Sequence, residues 1–578
     1  MSLISALNST FAGLKDTEAR LGVTAQNVTN ADRAGYTKKV YESEYSTTDI
    51  ASLPSGGQIN SAAVNPYLAK SVIEDTSSAA KNIAISEYLS TYATDLGRIN
   101  SSSTLSASLD NLIGALDSLS MTPEDFSLKT GVVNAAQQLA VQLSNLSESV
   151  QDLRTRADQE IGSSIEAINT SLNNLENLNV EITLAASTGL SVAGLEDERR
   201  VELENLAQYI DVDYFVDNNN QLKVYNGGRP LLDSLAHELE YTAASNVGAS
   251  TLYPGGFSAI DLNGTDITLN IDGGKLGGLL ELRDTTLTEE QEKLDEFAEV
   301  LMEQLNSLLN QGASVTSRSE IIGDQRGLVG TDPLGGTGSA RIALTNGTGV
   351  VQNVIDFDLS TYATIDDFVT DINASFAGDI TAAIDASGRL TLTSNVADQG
   401  MSFNELDSDI GGEGFSTYFG LNNLFDGSSA DDISISDYLL EGSSYLSTGR
   451  LSSDVALAAG DVGVSVGDGS LSVEMNDAFS ATQNFAAAGN FSSQSTSLDA
   501  YANKIIANIA IRADDASEEA ATTSLLLDQT KTALSNLTGV NVDEEMANLI
   551  DLESKYAASA TMMATIQQLF DELINAVR

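Results

Sequence analysis

Apolar residues return every third or fourth position at both extreme ends of the chain. From the N-terminus, Leu7, Leu14, Leu21 and Val28 recur every seven residues, with Leu3, Phe11 and Ala25 on the same side. One narrow stripe of this kind predicts an amphipathic helix of about four heptads. A turn is expected over residues 27–35, where Asn30, Asp32 and Gly35 tolerate left-handed backbone. At the other end Leu549, Leu552, Tyr556, Ser559, Met563, Ile566, Phe570, Leu573 and Val577 alternate steps of three and four, a continuous a/d seam. Gly539 closes the helix before it, and Asn541 with Glu544 makes a capping-box-like start. Arg578 falls at the negative end of the helix dipole. Long helices with a single apolar stripe need a partner in water. The two ends are therefore expected to pair.

Between the ends, residues 77–312 read as mainly helical. Leu139, Leu146 and Leu153 share a heptad frame that shifts by one residue near Glu160–Ile161 and resumes at Ile168, Leu175 and Ile182. A second long helix runs through Leu287, Leu294, Leu301 and Leu308, with Thr288 and Gln291 as its capping pair. Short hairpins interrupt these helices: Tyr214–Val216 and Leu222–Tyr225 flank Asn218–Asn220, and Asn263-Gly264 is a two-residue turn signal. From Ser319 to Asn476 the chain turns rich in Gly, Ser, Thr and Asp, with alternating runs at Ile380–Ile384 and Leu390–Thr393 and one helix over Thr364–Phe376. Helical signals return at Phe479, with Leu498, Ile505, Ile509 and Leu525–Leu527 as apolar positions.

The expected fold is α+β and multidomain, in three units. Residues 1–45 with 535–578 form terminal amphipathic helices in a coiled-coil-like unit. Residues 46–318 with 479–534 form a long-helix unit with short hairpins. Residues 319–478 form an inserted β-rich outer unit.

Composition narrows the function. The chain of 578 residues has 28 Lys and Arg against 82 Asp and Glu, a net charge of −54. Such a field repels nucleic acid and anionic lipid, so neither is an expected partner. Cysteine is absent, which excludes disulfides, Cys-bound zinc and a Cys nucleophile. No run approaches the ~18–20 apolar residues of a membrane-spanning helix, so no membrane insertion is expected. The first residues lack the basic and apolar regions of a cleaved signal peptide.

Three motifs suggest chemistry and fail on it. Gly463-Val464-Ser465-Val466-Gly467 is a literal nucleophile-elbow pattern, but Leu471-Ser472-Val473 after it reads as strand. The elbow needs a following helix and a later histidine, and the only histidine, His237, lies upstream. A lone histidine also makes a poor transition-metal site. Asp426, Asp431, Asp432 and Asp437 invite a calcium reading but lack EF-hand spacing. No catalytic, cofactor or metal site is expected, and the chain does not read as an enzyme.

Local motifs point elsewhere. Ala25-Gln26-Asn27-Val28-Thr29-Asn30, then Ala34-Gly35-Tyr36-Thr37, resembles the N-terminal signature of the flagellar rod, hook and hook-associated proteins. Gly539-Val540-Asn541-Val542-Asp543-Glu544-Glu545, followed by Lys555-Tyr556-Ala557-Ala558-Ser559-Ala560, resembles the matching C-terminal signature. Thr37, the segment from Gly273 to Asp284, and Gly414-Phe415-Ser416 with Gly420-Leu421-Asn422 and Phe425 resemble the hook-associated members. Rod and hook subunits usually carry Lys after the aromatic residue.

The resemblance implies a non-enzymatic structural subunit of the bacterial flagellum that assembles with copies of itself as a ring between hook and filament. It implies contact with hook subunits and with the second junction protein. It also implies a cytosolic export chaperone on the C-terminal helix, and type III export without a cleaved leader. The residues then expected to matter are the seam, Leu7, Leu14, Leu21, Val28, Leu549, Leu552, Tyr556, Met563, Ile566, Phe570, Leu573 and Val577. With them stand the signature residues Asn27, Asn30, Gly35, Tyr36, Thr37, Gly539 and Asn541. Another axial subunit (hook or distal rod), a secreted cell-wall hydrolase and an adhesin are the alternatives.

Overall fold

The structure, a computed structural model, describes residues 3–46, 53–61, 64–97 and 104–577. Helix α1 (Leu3–Asn30) leads through a turn to an antiparallel pair of strands, Lys39–Ser46 and Leu53–Ser61, with Lys39 opposite Ser61. Helix α2 (Pro66–Asp95) follows; the Asn65 side chain accepts from the amides of Tyr67 and Leu68, and proline occupies the first turn. Thr104 caps α3 (Leu105–Met121) and Asp125 caps α4 (Phe126–Ser187). Helix α5 (Ala193–Tyr209) turns back against α4.

The frame shift in α4 occurs without a break in the helix. Buried positions step 139, 143, 146, 150, 153 and then advance by fours through Ala157, Ile161 and Ile165 before alternating threes and fours resume through Ile168, Leu172, Leu175, Asn179 and Ile182. An inserted step of four lets a long straight helix keep its apolar face on the core.

Hairpins follow α5: strands Asp213–Val216, Leu222–Asn226 and Arg229–Leu232 form one sheet, and Asp261–Leu262 turns through Asn263-Gly264 into Thr265–Asp266. Helix α6 (Gly274–Glu281) then runs through a π-helical turn (Leu282–Thr286) into α7 (Leu287–Asn310). This corrects the capping pair expected at Thr288: no helix starts there, because α7 continues α6. The Thr288 hydroxyl reaches back to the Arg283 carbonyl instead.

A buried charge cluster pins that π turn. Arg283, fully buried, bonds Asp158 at 2.8 Å and stacks 4.2 Å from the Phe257 ring centroid. Asp158 also accepts from the Ala244 amide at 2.7 Å and from the Tyr241 hydroxyl. Arg154 donates to the carbonyls of Arg283, Gly248 and Thr251. The glycines ahead of it serve close packing. A Cβ at Gly278 would sit 2.8 Å from the Lys81 carbonyl oxygen on α2, and one at Gly274 would sit 2.4 Å from the Ile210 amide nitrogen.

The inserted region carries two three-stranded antiparallel sheets. One orders Val351–Asp358, Ser339–Asn346 and Gln399–Asn404; the other orders Ile380–Ile384, Leu390–Ser394 and Glu320–Ile322. Helix α8 (Ile365–Ser375), with a capping box between Thr364 and Asp367, and the short α9 (Phe415–Phe419) cover them. Their apolar cluster runs from Ile321 to Leu421. Residues from Leu424 to Leu446, including the short α10 (Asp437–Glu441), pack instead into the large cluster of the long helices.

Two expectations near residue 479 are corrected. Leu471-Ser472-Val473 lies in a helix, α11 (Ser470–Ser480), not in a strand. Its Leu471 and Met475 are buried one turn apart, a period of four that three residues in isolation do not reveal. The helix does not continue to the end either. A short pair of strands, Gln483–Phe485 and Gln494–Thr496, intervenes before α12 (Leu498–Thr538). Aromatic packing holds it: the Phe485 ring stacks 3.9 Å from Tyr501, and Phe491 meets Tyr501 edge-on at 5.7 Å. Helix α13 (Val542–Val577) completes the chain.

Candidate functional site

The two ends of the chain meet. Asn27, near the end of α1, donates to Glu545 in the first turn of α13 at 3.0 Å. Asp16 and Arg20 line the same cleft as Asp551 and Lys555. Moving back along α1 thus corresponds to moving forward along α13, and the helices lie antiparallel. The described residues of the three buried apolar clusters include none from α1 or α13.

The seam residues are accordingly covered only in part. Leu7, Leu14, Leu21 and Val28 are half-buried, as are Leu549, Leu552, Met563, Ile566 and Phe570. Tyr556 is 38% exposed and Leu573 57%. The Val577 side chain and Arg578 lie outside the described residues. Phe11 and Ala25, placed with the stripe by spacing, are exposed. The buried side of α1 is Thr17, Val23, Thr24 and Asn27. A straight helix drifts about 20° per heptad, so a seven-residue stripe slides off the covered face.

The signature residues fall into a polar cluster where α1, α5 and α13 converge. Asn27 is 1% exposed and satisfies its whole amide. Its Nδ2 donates to the Lys39 carbonyl (2.9 Å) and to Glu545, and its Oδ1 accepts from the Lys39 amide (2.9 Å) and the Tyr36 hydroxyl (3.0 Å). Thr37 docks on Asp197 of α5 through its amide (3.0 Å) and its hydroxyl (2.7 Å). Lys39 Nζ completes this clasp: it bonds Asp197 at 2.6 Å, the Thr37 hydroxyl at 2.9 Å, and Ser61 and the Ala193 carbonyl at 2.7 Å. Gly35 makes the approach possible. Its φ is +74°, and a Cβ there would lie 2.2 Å from Val201 Cγ2. The Gly35 carbonyl accepts from Arg200.

The connection to the C-terminal helix is equally local. The Lys38 amide donates to the Thr538 carbonyl at 2.8 Å, and its ammonium bonds Glu544 (3.0 Å) and Glu545 (2.9 Å). Gly539 ends α12 by donating to the Ser535 carbonyl at 2.7 Å. Asn541 Oδ1 accepts from the amides of Asp543 (3.1 Å) and Glu544 (3.2 Å), half of the expected capping box. Glu544 turns its carboxylate to Lys38 instead of back to the cap. Asn30 stays outside the cluster and bonds the Gln26 carbonyl of its own helix at 2.9 Å.

Burial sets the electrostatics. It pulls the Lys39 ammonium below its ordinary range against the attraction of Asp197. Burial acts the same way on Lys38, but Glu545 and Glu544 outweigh it and the net shift is upward. Burial, then Asp197 and Glu545, push the Tyr36 phenol up to about 12.

Asp197, Lys38, Lys39 and Arg200 were not singled out by sequence reasoning, and Glu545 entered only as the last letter of the C-terminal signature. Asp197 sits in the run Glu196-Asp197-Glu198-Arg199-Arg200, which has the look of any solvated helix face. The remaining candidates lie apart from this cluster. Ser465 is exposed, and His237 bonds Asn263 within the small hairpin. Asp432 accepts from the amides of Ser428 and Ser429, both at 2.8 Å. Among the described residues no group of three or more His, Cys, Asp or Glu is placed to hold a metal ion, and no helix is long and apolar enough to cross a membrane.

A family model described as the flagellar hook-associated protein FlgK helical domain matches residues 96–321. A second, described as the flagellar basal body rod FlgEFG protein C-terminal, matches residues 535–576. Flagellar hook-associated protein 1 of Salmonella typhimurium is 23% identical over 588 residues, covering 99% of both chains. The protein of the same name from Escherichia coli is 22% identical over 593 residues, again 99% of each. The solved structure of the flagellar hook junction protein FlgK from Burkholderia pseudomallei superposes with a TM-score of 0.50 at 14% identity, covering 80% of this chain and 99% of that one. The resemblance carried by the terminal motifs therefore holds: the chain is an α+β, multidomain protein similar from end to end to flagellar hook-associated protein 1, and its residues 96–321 match the model of the FlgK helical domain.

Proposed function

We propose that this chain is a structural, non-catalytic subunit of the bacterial flagellum that joins hook to filament by assembling as a ring at the hook tip. The observation that carries this reading is the joined pair of terminal helices, antiparallel, half-covered and clasped to the body by buried polar bonds. Exposed Ile4, Phe11, Ile550, Met562, Leu573 and Ile574 leave apolar surface on this pair, the kind that marks an interaction site. Neighbouring copies, hook subunits and the second junction protein would cover it after assembly, and an export chaperone would cover the α13 part before. Export without a cleaved leader is part of the same reading.

Three units fit this role: the terminal pair, the long-helix body, and an outer unit built on the cluster from Ile321 to Leu421. The alternative of a hook or distal rod subunit draws on the C-terminal match at 535–576 alone, and leaves the helical match at 96–321 without a purpose. Deletion of the gene tests the proposal. Cells should keep intact hooks, lose motility and shed unpolymerised flagellin, as seen by electron microscopy and assay of the medium. Full-length filaments on deletion cells would refute it.

A further inference from the structure

Three Asn-Gly pairs occur in the chain: Asn226-Gly227, Asn263-Gly264 and Asn346-Gly347. Their surroundings differ in a way that bears on covalent chemistry. Asn226 is 1% exposed, with its Nδ2 held by Asp211 at 3.0 and 3.1 Å. Asn346 uses its Oδ1 to accept from the Thr348 amide, the Thr348 hydroxyl and the Val350 amide at 2.8–3.0 Å. Asn263 is exposed, as is Gly264, and no atom lies within 4 Å of where a Cβ on Gly264 would be.

Two side chains converge on that open turn. Asn263 Nδ2 lies 3.1 Å from Nδ1 of His237, the chain's only histidine. His237 Nε2 in turn lies 3.2 Å from Asp233 Oδ2, close enough for charge pairing though not aligned for a hydrogen bond. On the other side, the Gly264 amide donates to the Asp261 carboxylate. The nitrogen that would attack and the nitrogen that would leave thus each have a proton-transfer group beside them.

We propose that Asn263 is a self-modifying site that deamidates through a cyclic imide, assisted by His237 and Asp261. The Gly264 nitrogen attacks Asn263 Cγ and gives its proton to Asp261. In the intact amide Nδ2 donates to His237 Nδ1; once attack has made that nitrogen tetrahedral it can accept a proton from His237 in its protonated form, the Cγ–Nδ2 bond breaks, and the nitrogen leaves as ammonia. Water then opens the five-membered imide at either carbonyl, leaving aspartate or isoaspartate at position 263. The left-handed backbone of Asn263 (φ 53°) must rotate for the ring to close. The flanking strands are two residues each, so the rotation is confined to the exposed pair Asn263-Gly264 between the buried Leu262 and the end of the hairpin. The product sets a new carboxylate beside His237, opposite Asp233.

The test uses the purified full-length protein, aged at neutral pH and digested for peptide mass spectrometry. Deamidation should be fastest at Asn263, slower at Asn346 and slowest at Asn226. His237→Gln or Asp261→Asn should slow Asn263 by about tenfold, below the usual range for positioned acid–base groups because the turn is exposed to solvent. Asn226 doubles as a folding monitor, because its rate rises only if a variant opens the body. Slowing confined to Asn263 in at least one variant supports the proposal. Equal rates at Asn263 and Asn346 in the parent protein, or no slowing in either variant, overturn it.

Discussion

Helices α4 and α13 carry the same pattern in sequence and meet opposite fates in the fold. In α4, Leu139 and Leu175 are fully buried and Leu146 is 2% exposed, because α3, α5, α6 and α7 cover its stripe. In α13 the helix that packs on the stripe is α1. Among its described seam residues none is buried, and Ile550 beside it stays 64% exposed. Heptad spacing therefore reports that a face needs cover, and is silent on whether the same chain supplies it. What tells the two regions apart is the cover each stripe receives: among the described residues α3, α5, α6 and α7 pack on α4, and α1 is the helix that packs on α13.

Charge placed in each stripe breaks this comparison most sharply. Leu143→Asp would put a carboxylate at a fully buried site of α4. An unpaired charge there costs several kcal/mol (about 3–5 by analogy with broken buried pairs) and should abolish the main cooperative melting transition. Ile566→Asp with Phe570→Asp should leave that transition near normal by calorimetry, yet fail to restore filaments to deletion cells. If the seam variant lost the main transition instead, α13 would belong to the monomer's own core and the assembly reading would be wrong.

The clasp gives the next effect. Asp197→Ala strands the Lys39 ammonium, which is 5% exposed, and removal of one partner of a buried pair costs about 3–5 kcal/mol. The loss should be local: faster amide exchange or proteolysis around residues 31–39, with the long-helix core unaffected. Lys39→Met combined with Asp197→Leu should recover much of the stability, since replacing both partners with apolar groups is often neutral. A double variant no better than Asp197→Ala would show that the Thr37 bonds to Asp197, not the ion pair, hold the clasp.

The contrast also explains what could be read from the chain without its structure. The two terminal helices, the turn at Gly35 and the helix break at Gly539 were legible because each is a local pattern with a single physical cause. Asp197 was not: its role depends on Thr37 and Lys39, about 160 residues earlier in the chain. Helix α11 and the strands at Gln483–Phe485 were missed for the same reason, since Leu471, Phe485 and Phe491 answer to distant rings and leucines. The segments that resembled a family mostly proved to be joints. Residues 27–39 join the terminal pair to α5, and Gly273–Asp284 seats α6 on α2. Asn422 and its neighbours tie the outer unit to the end of α7, the Asn422 amide donating to Asn310 Oδ1 at 2.7 Å. Packing inside a unit tolerates many sequences; a joint made of specific hydrogen bonds does not, and so keeps a recognisable spelling.

Alkaline pH should loosen the terminal pair before the body. Burial, then Asp197 and Glu545, push the Tyr36 phenol from an ordinary 10.0 up to about 12, so above pH 10 the folded form holds a proton that the unfolded form loses. Stability from Tyr36 is complete below pH 10 and falls as pH rises toward 12. Lys38, also shifted upward, adds in the same direction: its contribution is present below the ordinary lysine value and is lost as pH rises through the higher folded one. Lys39 is shifted downward and opposes them. The Tyr36 shift is the large one of the three and sets the direction, a net loss of docking, measured as rising amide exchange or protease cleavage near residues 31–39 above pH 10 while helical circular dichroism of the body holds. Simultaneous loss of both signals would contradict the separation of the two regions.

The smallest effect separates a helix cap from the joint beside it. Asn541 Oδ1 accepts two amides at the start of α13, and replacing such a cap with alanine costs about 1 kcal/mol. In a helix buried on all sides that cost would be spread over the whole fold. Here α13 has one partner, so Asn541→Ala should fray its first turn and leave the melting temperature of the body unchanged. The fraying reaches Glu544 and Glu545, and through them Lys38 and Asn27. Asn541→Ser should rescue the variant, because serine also caps, whereas Glu544→Gln should weaken only the exposed pair with Lys38, worth about 0–1 kcal/mol. Amide exchange at residues 542–546 reads all three: strong loss of protection for alanine, near-parent values for serine, and a slight change for Glu544→Gln. If Glu544→Gln matched alanine, Lys38 rather than Asn541 would set the start of α13, and the terminal helix would be held by its joint alone.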